Sequence, residues 1–264
     1  MNEADSVLLV SRKDGAAWLT LNRPDAGNAI NLPLAEALLA AALEIEHDGS
    51  VRCVVIAGVG KLFCAGGDVP SFATAAEGPG PFLNKLAGKL HEALVVFARM
   101  AKPVVTVIQG PAAGAGMSLA IGADIALAGR RAHFTPAYGA IGLTPDGGMS
   151  WTLPRLVGLR KAQEILLTNQ RIGADEAVNL GMITRVVDDE ALVVEAEALV
   201  AKLVAGPVAA AGVVRALLLD SYGSDFAAQL DRETAGIAAA GAGPEGQEGL
   251  ASFMEKRPAK FRPD

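Results

Sequence analysis

The alternation of apolar and polar positions divides this chain into short strands and longer helices. Residues 6–22 alternate around Asp14-Gly15, which predicts a hairpin. Residues 31–48 carry a helical period with Pro33 near its start. The apolar run over 51–57 reads as a buried strand bounded by Gly58 and Gly60. Helix returns over 80–100, where Phe82, Leu83, Leu86, Leu90, Leu94 and Phe97 form one stripe. Pro103 opens a strand over 104–109. A Gly-rich turn and a short helix cover 110–122, and a strand follows at 124–128.

From there the pattern changes. A short strand at 133–134, a helix from about Gly147, a second helix over 160–168 and a strand over 183–187 are predicted. After Asp188 nearly everything is helical, broken at Gly206-Pro207, Gly223 and 241–244. The organisation expected is an α/β core over residues 1–190, followed by a helical region over 191–264. No internal repeat or linker separates them.

Composition narrows the function classes. The 264 residues are 51% apolar, enough for a large buried core. A net charge of −6 argues against nucleic-acid binding, but a local N–H cluster on an acidic protein can still hold an anion. Cys53 and Cys64 lack metal-ligand spacing, and Cys53 sits in a strand-like apolar run. The three histidines, His47, His91 and His133, are scattered and read as core or surface residues. The N-terminus lacks a basic segment followed by an apolar one, and no uninterrupted apolar run reaches membrane-spanning length. The expectation is a soluble cytoplasmic protein without a metal.

Three segments carry candidate chemistry. Residues 61–68, Lys-Leu-Phe-Cys-Ala-Gly-Gly-Asp, follow a buried strand, and their paired glycines let bare N–H groups face a ligand. An ordinary strand-to-helix loop fits them equally well. Residues 109–118 also lead from strand to helix, with small residues at 112–116 that allow close backbone approach. A dinucleotide fingerprint would need glycine where Leu119 stands, and Lys61 lacks the context of a phosphate loop. In the third segment, Asp146 stands among Ile141, Leu143, Met149 and Trp151. Apolar company favours the neutral form of a carboxyl group and suits a proton carrier. Taken alone, Asp146 reads more readily as a helix cap, and Asp68 reads as a cap or as a site residue.

Together these segments resemble the enoyl-CoA hydratase/isomerase (crotonase) superfamily over nearly the whole chain. Leu21-Asn22-Arg23-Pro24 with Asn28-Ala29 is similar to its opening motif. Phe63 to Asp68 and Gly110 to Gly116 resemble its two oxyanion loops. Leu153-Pro154-Arg155-Leu156-Val157-Gly158, Leu167-Thr168 and Ala174, Ala177 and Gly181 continue the match, and 253–261 resembles its C-terminal helix.

The resemblance implies a spiral of ββα turns with a C-terminal trimerisation region, and trimers that pair into hexamers. It implies an acyl-CoA substrate and no cofactor beyond the coenzyme A that the substrate carries. The thioester oxygen would be held by the N–H groups of Gly67 and Ala115. Cys64, Ala65, Gly66, Asp68, Gly114, Ser118 and Tyr138 would line the substrate, while Phe261 and Arg262 would reach the nucleotide of a neighbouring subunit.

The reaction implied turns on the acids. Hydratases of this family carry glutamates where Ser118 and Tyr138 stand here. Asp146 matches the lone acid of 3,2-enoyl-CoA isomerases, the aspartate of 1,2-epoxyphenylacetyl-CoA isomerases and the nucleophile of 4-chlorobenzoyl-CoA dehalogenases; its surroundings look closest to the epoxide isomerases. The expected activity is therefore isomerisation with Asp146 as single acid/base. A hydratase or lyase of the same family, and a non-catalytic acyl-CoA-binding protein, are the alternatives.

Overall fold

The computed structural model describes residues 6–262. The chain opens with β1 (Leu8–Lys13) and β2 (Ala16–Leu21), antiparallel about Asp14 and Gly15. Both turn residues have positive φ, 53° and 89°, the geometry that matches the strand twist of a two-residue hairpin. Next comes α1 (Leu32–His47), whose Asn31 side chain caps it by accepting from Leu34 N–H. It leads to β3 (Cys53–Gly58), α2 (Val69–Ala73), α3 (Pro79–Arg99) and β4 (Val104–Ile108).

Then follow β5 (Ala112–Ala113), α4 (Ala115–Ile121), β6 (Ile125–Gly129), β7 (His133–Thr135), α5 (Met149–Val157), α6 (Leu159–Thr168) and β8 (Ile172–Gly173). After α7 (Ala174–Asn179) and β9 (Arg185–Val187), the chain is helical: α8 (Leu192–Ala205), α9 (Val208–Ser221), α10 (Phe226–Ala242) and α11 (Pro244–Met254).

The main sheet has the order β1-β2-β3-β4-β6-β9, and every pairing beyond the first hairpin is parallel. A second sheet pairs β5, β7 and β8. Both faces of the main sheet are covered, as parallel strands require. Val54 and Ile56 of β3 join the large core with Leu34, Leu38, Leu90 and Phe97 from α1 and α3. Cys53 and Val55, pointing the other way, meet Leu192, Ala196, Val200 and Val204 of α8. The first helix of the C-terminal region thus packs as a wall of the sheet.

The remaining helices behave differently. No side chain of α10 is buried, and Phe226, Ile237, Phe253 and Met254 are all more than three-quarters exposed. Arg52, just before β3, fastens this region at the N-terminal ends of the strands. It donates to the carbonyls of Val204, Gly206 and Phe261 and pairs with Glu245 at 3.2 Å. Among the described residues no single helix is long and apolar enough to cross a membrane.

Candidate active site

Parallel strands deliver their following loops to one end of a sheet, the usual place for a site in an α/β fold. The loops after β3 and β4 do this here. They pair briefly as strands through Cys64 and Ala112, and Ala113 N–H donates to the Cys64 carbonyl at 2.9 Å. Just beyond, Gly66 (φ 100°) and Gly114 (φ 50°) face one another. A Cβ on Gly66 would lie 2.9 Å from the Ala113 oxygen and 3.4 Å from the Gly114 Cα. Only bare glycine backbone permits that approach and those angles together.

Gly67 and Ala115 each follow one member of this glycine pair. Among the described residues, neither the Gly67 N–H nor the Ala115 N–H has an acceptor, whereas Asp68 N–H donates to Ile30 and Gly114 N–H to Thr135. Ala115 opens α4, so its N–H is one of the unsatisfied donors of a helix start.

Asn28 braces the first loop. It is fully buried with φ 57°, and its side-chain amide donates to the carbonyls of Val59, Leu62 and Phe63 while its Oδ1 accepts from Arg23 N–H. Sequence reading gave Asn28 only a place in a motif. Its bracing role depends on a loop more than thirty residues away, which no local pattern reveals.

The third segment closes the cluster. Residues 138–141 form a 3-10 turn, and the chain then loops through Asp146 to α5. The Asp146 carboxylate accepts the Tyr138 hydroxyl at 2.7 Å on Oδ1. Its backbone carbonyl accepts from Ser118 Oγ at 2.9 Å, and Ser118 Oγ lies 3.2 Å from the Tyr138 hydroxyl. Burial pushes the Tyr138 phenol well above its ordinary range, and the nearby Asp146 charge adds to that, so the group is a hydrogen-bond donor. The following amide, Gly147 N–H, donates to His91 Nε2 of α3 at 2.9 Å. His91, set aside in the sequence as a core or surface residue, adjoins Asp146. The clue lay in its place on α3 between Leu90 and Leu94 of the apolar stripe.

Two sequence expectations for Asp146 change. It does not cap α5, whose N-cap is Gly148 without a side-chain bond; only the Asp146 carbonyl engages, accepting from Met149 N–H. The partners of its carboxylate and carbonyl are polar, Tyr138 and Ser118, while Ile141 and Trp151 are 54% and 45% exposed. The turn carries left-handed glycines at 142, 147 and 148.

The other expected residues divide. Asp68 caps α2, accepting from Ser71 N–H, and pairs with Arg23 at 2.8 Å, so its carboxylate is engaged. Cys64 turns its thiol inward to the Asn28 carbonyl, and only its backbone follows the loop edge. Ala65 is exposed beside it. Phe261 and Arg262 do not join the cluster within this chain. Phe261 packs on Gly249, and Arg262 donates to the Asp14 carbonyl at the hairpin, at the opposite end of the sheet. A cavity of about 720 Å³ opens behind the Asp146 turn, with His91, Leu94, Ser118, Gly147, Trp151 and Leu218 among its walls. Among the described residues no group of three or more His, Cys, Asp or Glu side chains is placed to hold a metal ion.

The whole chain is similar to known proteins. The 1,2-epoxyphenylacetyl-CoA isomerase of Escherichia coli is 35% identical over 94% of this chain and 95% of its own length. A 4-chlorobenzoyl coenzyme A dehalogenase of an Arthrobacter species is 32% identical over 97% of this chain and 93% of its own. The crystal structure of an enoyl-CoA hydratase from Mycobacterium smegmatis superposes with a TM-score of 0.90 at 35% identity, covering 97% of this chain and 98% of that one. The sequence model of enoyl-CoA hydratase/isomerase matches residues 11–264, and with it the chain belongs to that family, within the crotonase superfamily.

Proposed function

We propose that this member of the family is an acyl-CoA isomerase with Asp146 as its single acid/base. The observation that carries the reading is the Ser118–Tyr138–Asp146 cluster, in which Asp146 is the only acidic side chain. Water addition across a conjugated double bond calls for a base to activate water and an acid to protonate carbon. Ser118 cannot act as a carboxylate, and the buried Tyr138 phenol holds its proton.

A proton beside a thioester is too weakly acidic for an unaided carboxylate. In the proposed reaction the N–H groups of Gly67 and Ala115 take the thioester oxygen and stabilise charge as it develops there. Each such donor is worth about 2.7–4 kcal/mol. With Tyr138 on Oδ1, Asp146 uses Oδ2 to take a proton from C2 of a 3-enoyl thioester. The electron pair moves into the carbonyl as a dienolate. Return of the proton to C4 leaves the double bond between C2 and C3. The same enolate chemistry would open a strained ring epoxide. The electron sink is the thioester itself, so no cofactor besides coenzyme A is called for.

Assembly belongs to the same reading. The bare apolar faces of α10 and α11 are taken as subunit contacts of a homotrimer or a dimer of trimers.

The test is turnover of 3-hexenoyl-CoA, 2-hexenoyl-CoA and the ring epoxide of phenylacetyl-CoA by the wild type and by Asp146→Asn. Isomerisation of the first or third ester, lost a thousandfold or more in the variant, is expected. Full activity in Asp146→Asn overturns the role of this residue. Efficient hydration of 2-hexenoyl-CoA makes the chain a hydratase, and binding of all three esters without turnover makes it a binding protein.

A further inference from the structure

The peptide that carries Asp146 is held by side chains from three separate elements. Ser118 of α4 holds the carbonyl, Tyr138 holds the carboxylate, and His91 of α3 holds the next amide, Gly147 N–H, at 2.9 Å. The turn itself has little stiffness of its own. Gly147 and Gly148 both adopt left-handed angles, φ 59° and 79°, and glycine passes between such states at little cost. A Cβ at Gly147 would lie 2.8 Å from the Ser118 Cβ, so even a small displacement of the turn alters the Asp146 cluster. The hydrogen bonds at its borders therefore set where the carboxylate points.

Of the three clamps, only His91 accepts through a nitrogen that protonation would turn into a donor. To accept from Gly147 N–H, Nε2 must carry a lone pair, which places the ring proton on Nδ1. Protonation turns Nε2 into a second donor. Two N–H groups would then face each other across 2.9 Å, and the bond is lost.

We infer that His91 is a positioning residue whose neutral form holds Gly147 and thereby aims the Asp146 carboxylate at the substrate. This rests on the reading of Asp146 as acid/base. The charged residues that share the cavity wall with His91 are Arg155 of α5 and the Arg215–Asp124 pair (2.7 Å), and Asp146 directly precedes the Gly147 amide that His91 holds. Tyr222 lines the same cavity. On α3 itself, Lys89 and Glu92 neutralise each other at 2.8 Å. The consequence is an acid limb in kcat: turnover falls as His91 gains its proton, although neither His91 nor its proton enters the reaction.

Two measurements test this. In the first, the amide signal of Gly147 is followed in 15N-glycine-labelled full-length protein, without substrate, across pH 5–8, the range in which imidazoles change charge. A titrating Gly147 signal that becomes flat in His91→Gln is expected, since the Gln oxygen accepts at every pH. A signal that does not move in the wild type, or that moves equally in His91→Gln, overturns the inference.

The second compares pH profiles of kcat for the wild type, His91→Gln and His91→Leu with the ester of the panel turned over fastest. His91→Gln should keep at least a third of wild-type kcat at pH 8 and lose less of it on going to pH 5.5. His91→Leu should lose at least tenfold at pH 8 with KM little changed. Equal losses in both variants, or a His91→Leu enzyme with the wild-type rate and profile, would sink the idea. The two readings fail separately. An active Asp146→Asn enzyme removes the acid/base role and leaves the Gly147 signal intact. A silent Gly147 signal removes His91 and leaves Asp146 untouched.

Discussion

Tyr138 donates its hydroxyl to Asp146 Oδ1 at 2.7 Å, eight residues along the chain from the acid it serves. The phenol supplies the Asp146 carboxylate with a fixed donor. A hydrogen bond to a charged group contributes about 1.5–3 kcal/mol. Tyr138→Phe is expected to lower kcat by roughly ten- to hundredfold, with KM within about threefold of the wild type. Steady-state kinetics check this, and an unchanged kcat would show that Asp146 keeps its orientation without the phenol.

Asn28 offers a prediction about stability as well as rate. Its replacement by alanine strips a donor from the carbonyls of Val59, Leu62 and Phe63 on the loop that precedes Gly67; of these Phe63 is buried, and Leu62 keeps the Gln109 side chain as a donor. The expected cost is about 1–3 kcal/mol in urea unfolding, in line with leaving the buried Phe63 carbonyl unsatisfied. Asn28→Asp should do no better, because a carboxylate cannot donate to them. Among variants that still fold, kcat should fall with stability, since the same loop positions Gly67. A destabilised Asn28→Ala enzyme with full kcat would separate the brace from the site.

The two thiols give a pH dependence with a definite sign. Burial pushes Cys53 and Cys64 up to about 12 in the folded chain, whereas an unfolded thiol ionises near 8.5. Between those values the unfolded state binds fewer protons than the folded one. Stability is therefore complete below about pH 8.5 and declines as pH rises toward 12, by up to about 1.4 kcal/mol per pH unit for each thiol. Urea unfolding at pH 7, 9 and 10 should show the decline. A Cys53→Ala/Cys64→Ala double variant, whatever its baseline, should show a shallower slope; an equal slope would assign the effect to other groups.

How far the chain could be read in advance follows from the length of its elements. The hairpin at Asp14-Gly15, α1 behind Asn31, the stripe of α3 and the strands β3, β4 and β6 all carry enough periodicity to declare themselves. The five-residue α2, the six-residue α7 and the two-residue strands β5 and β8 do not. The two strands exist because neighbours such as Cys64, Phe134 and His133 offer hydrogen bonds across long sequence separations. The same division holds in the site. Gly66, Gly67 and Gly114 announce their loops by composition, and Asp146 stands out as a lone acid. That Asp146 would bind a phenol and leave α5 uncapped, and that His91 would hold its neighbour, required the three loops to be brought together.

The contact of Gly66 with Gly114 has a consequence for how such a protein changes its chemistry. If the adjoining amides grip the thioester, the grip belongs to the main chain, and exchanging one side chain cannot erase it. The exception is Gly66, where even an alanine Cβ would meet the Ala113 oxygen at 2.9 Å and wedge the two loops apart. What point mutation reaches easily is the outer ring at 118, 138 and 146, where acids, alcohols and phenols can be traded. Ancestral and descendant chains can then share one way of activating an ester while differing in the bond they make or break, and successive reactions become a matter of a few codons.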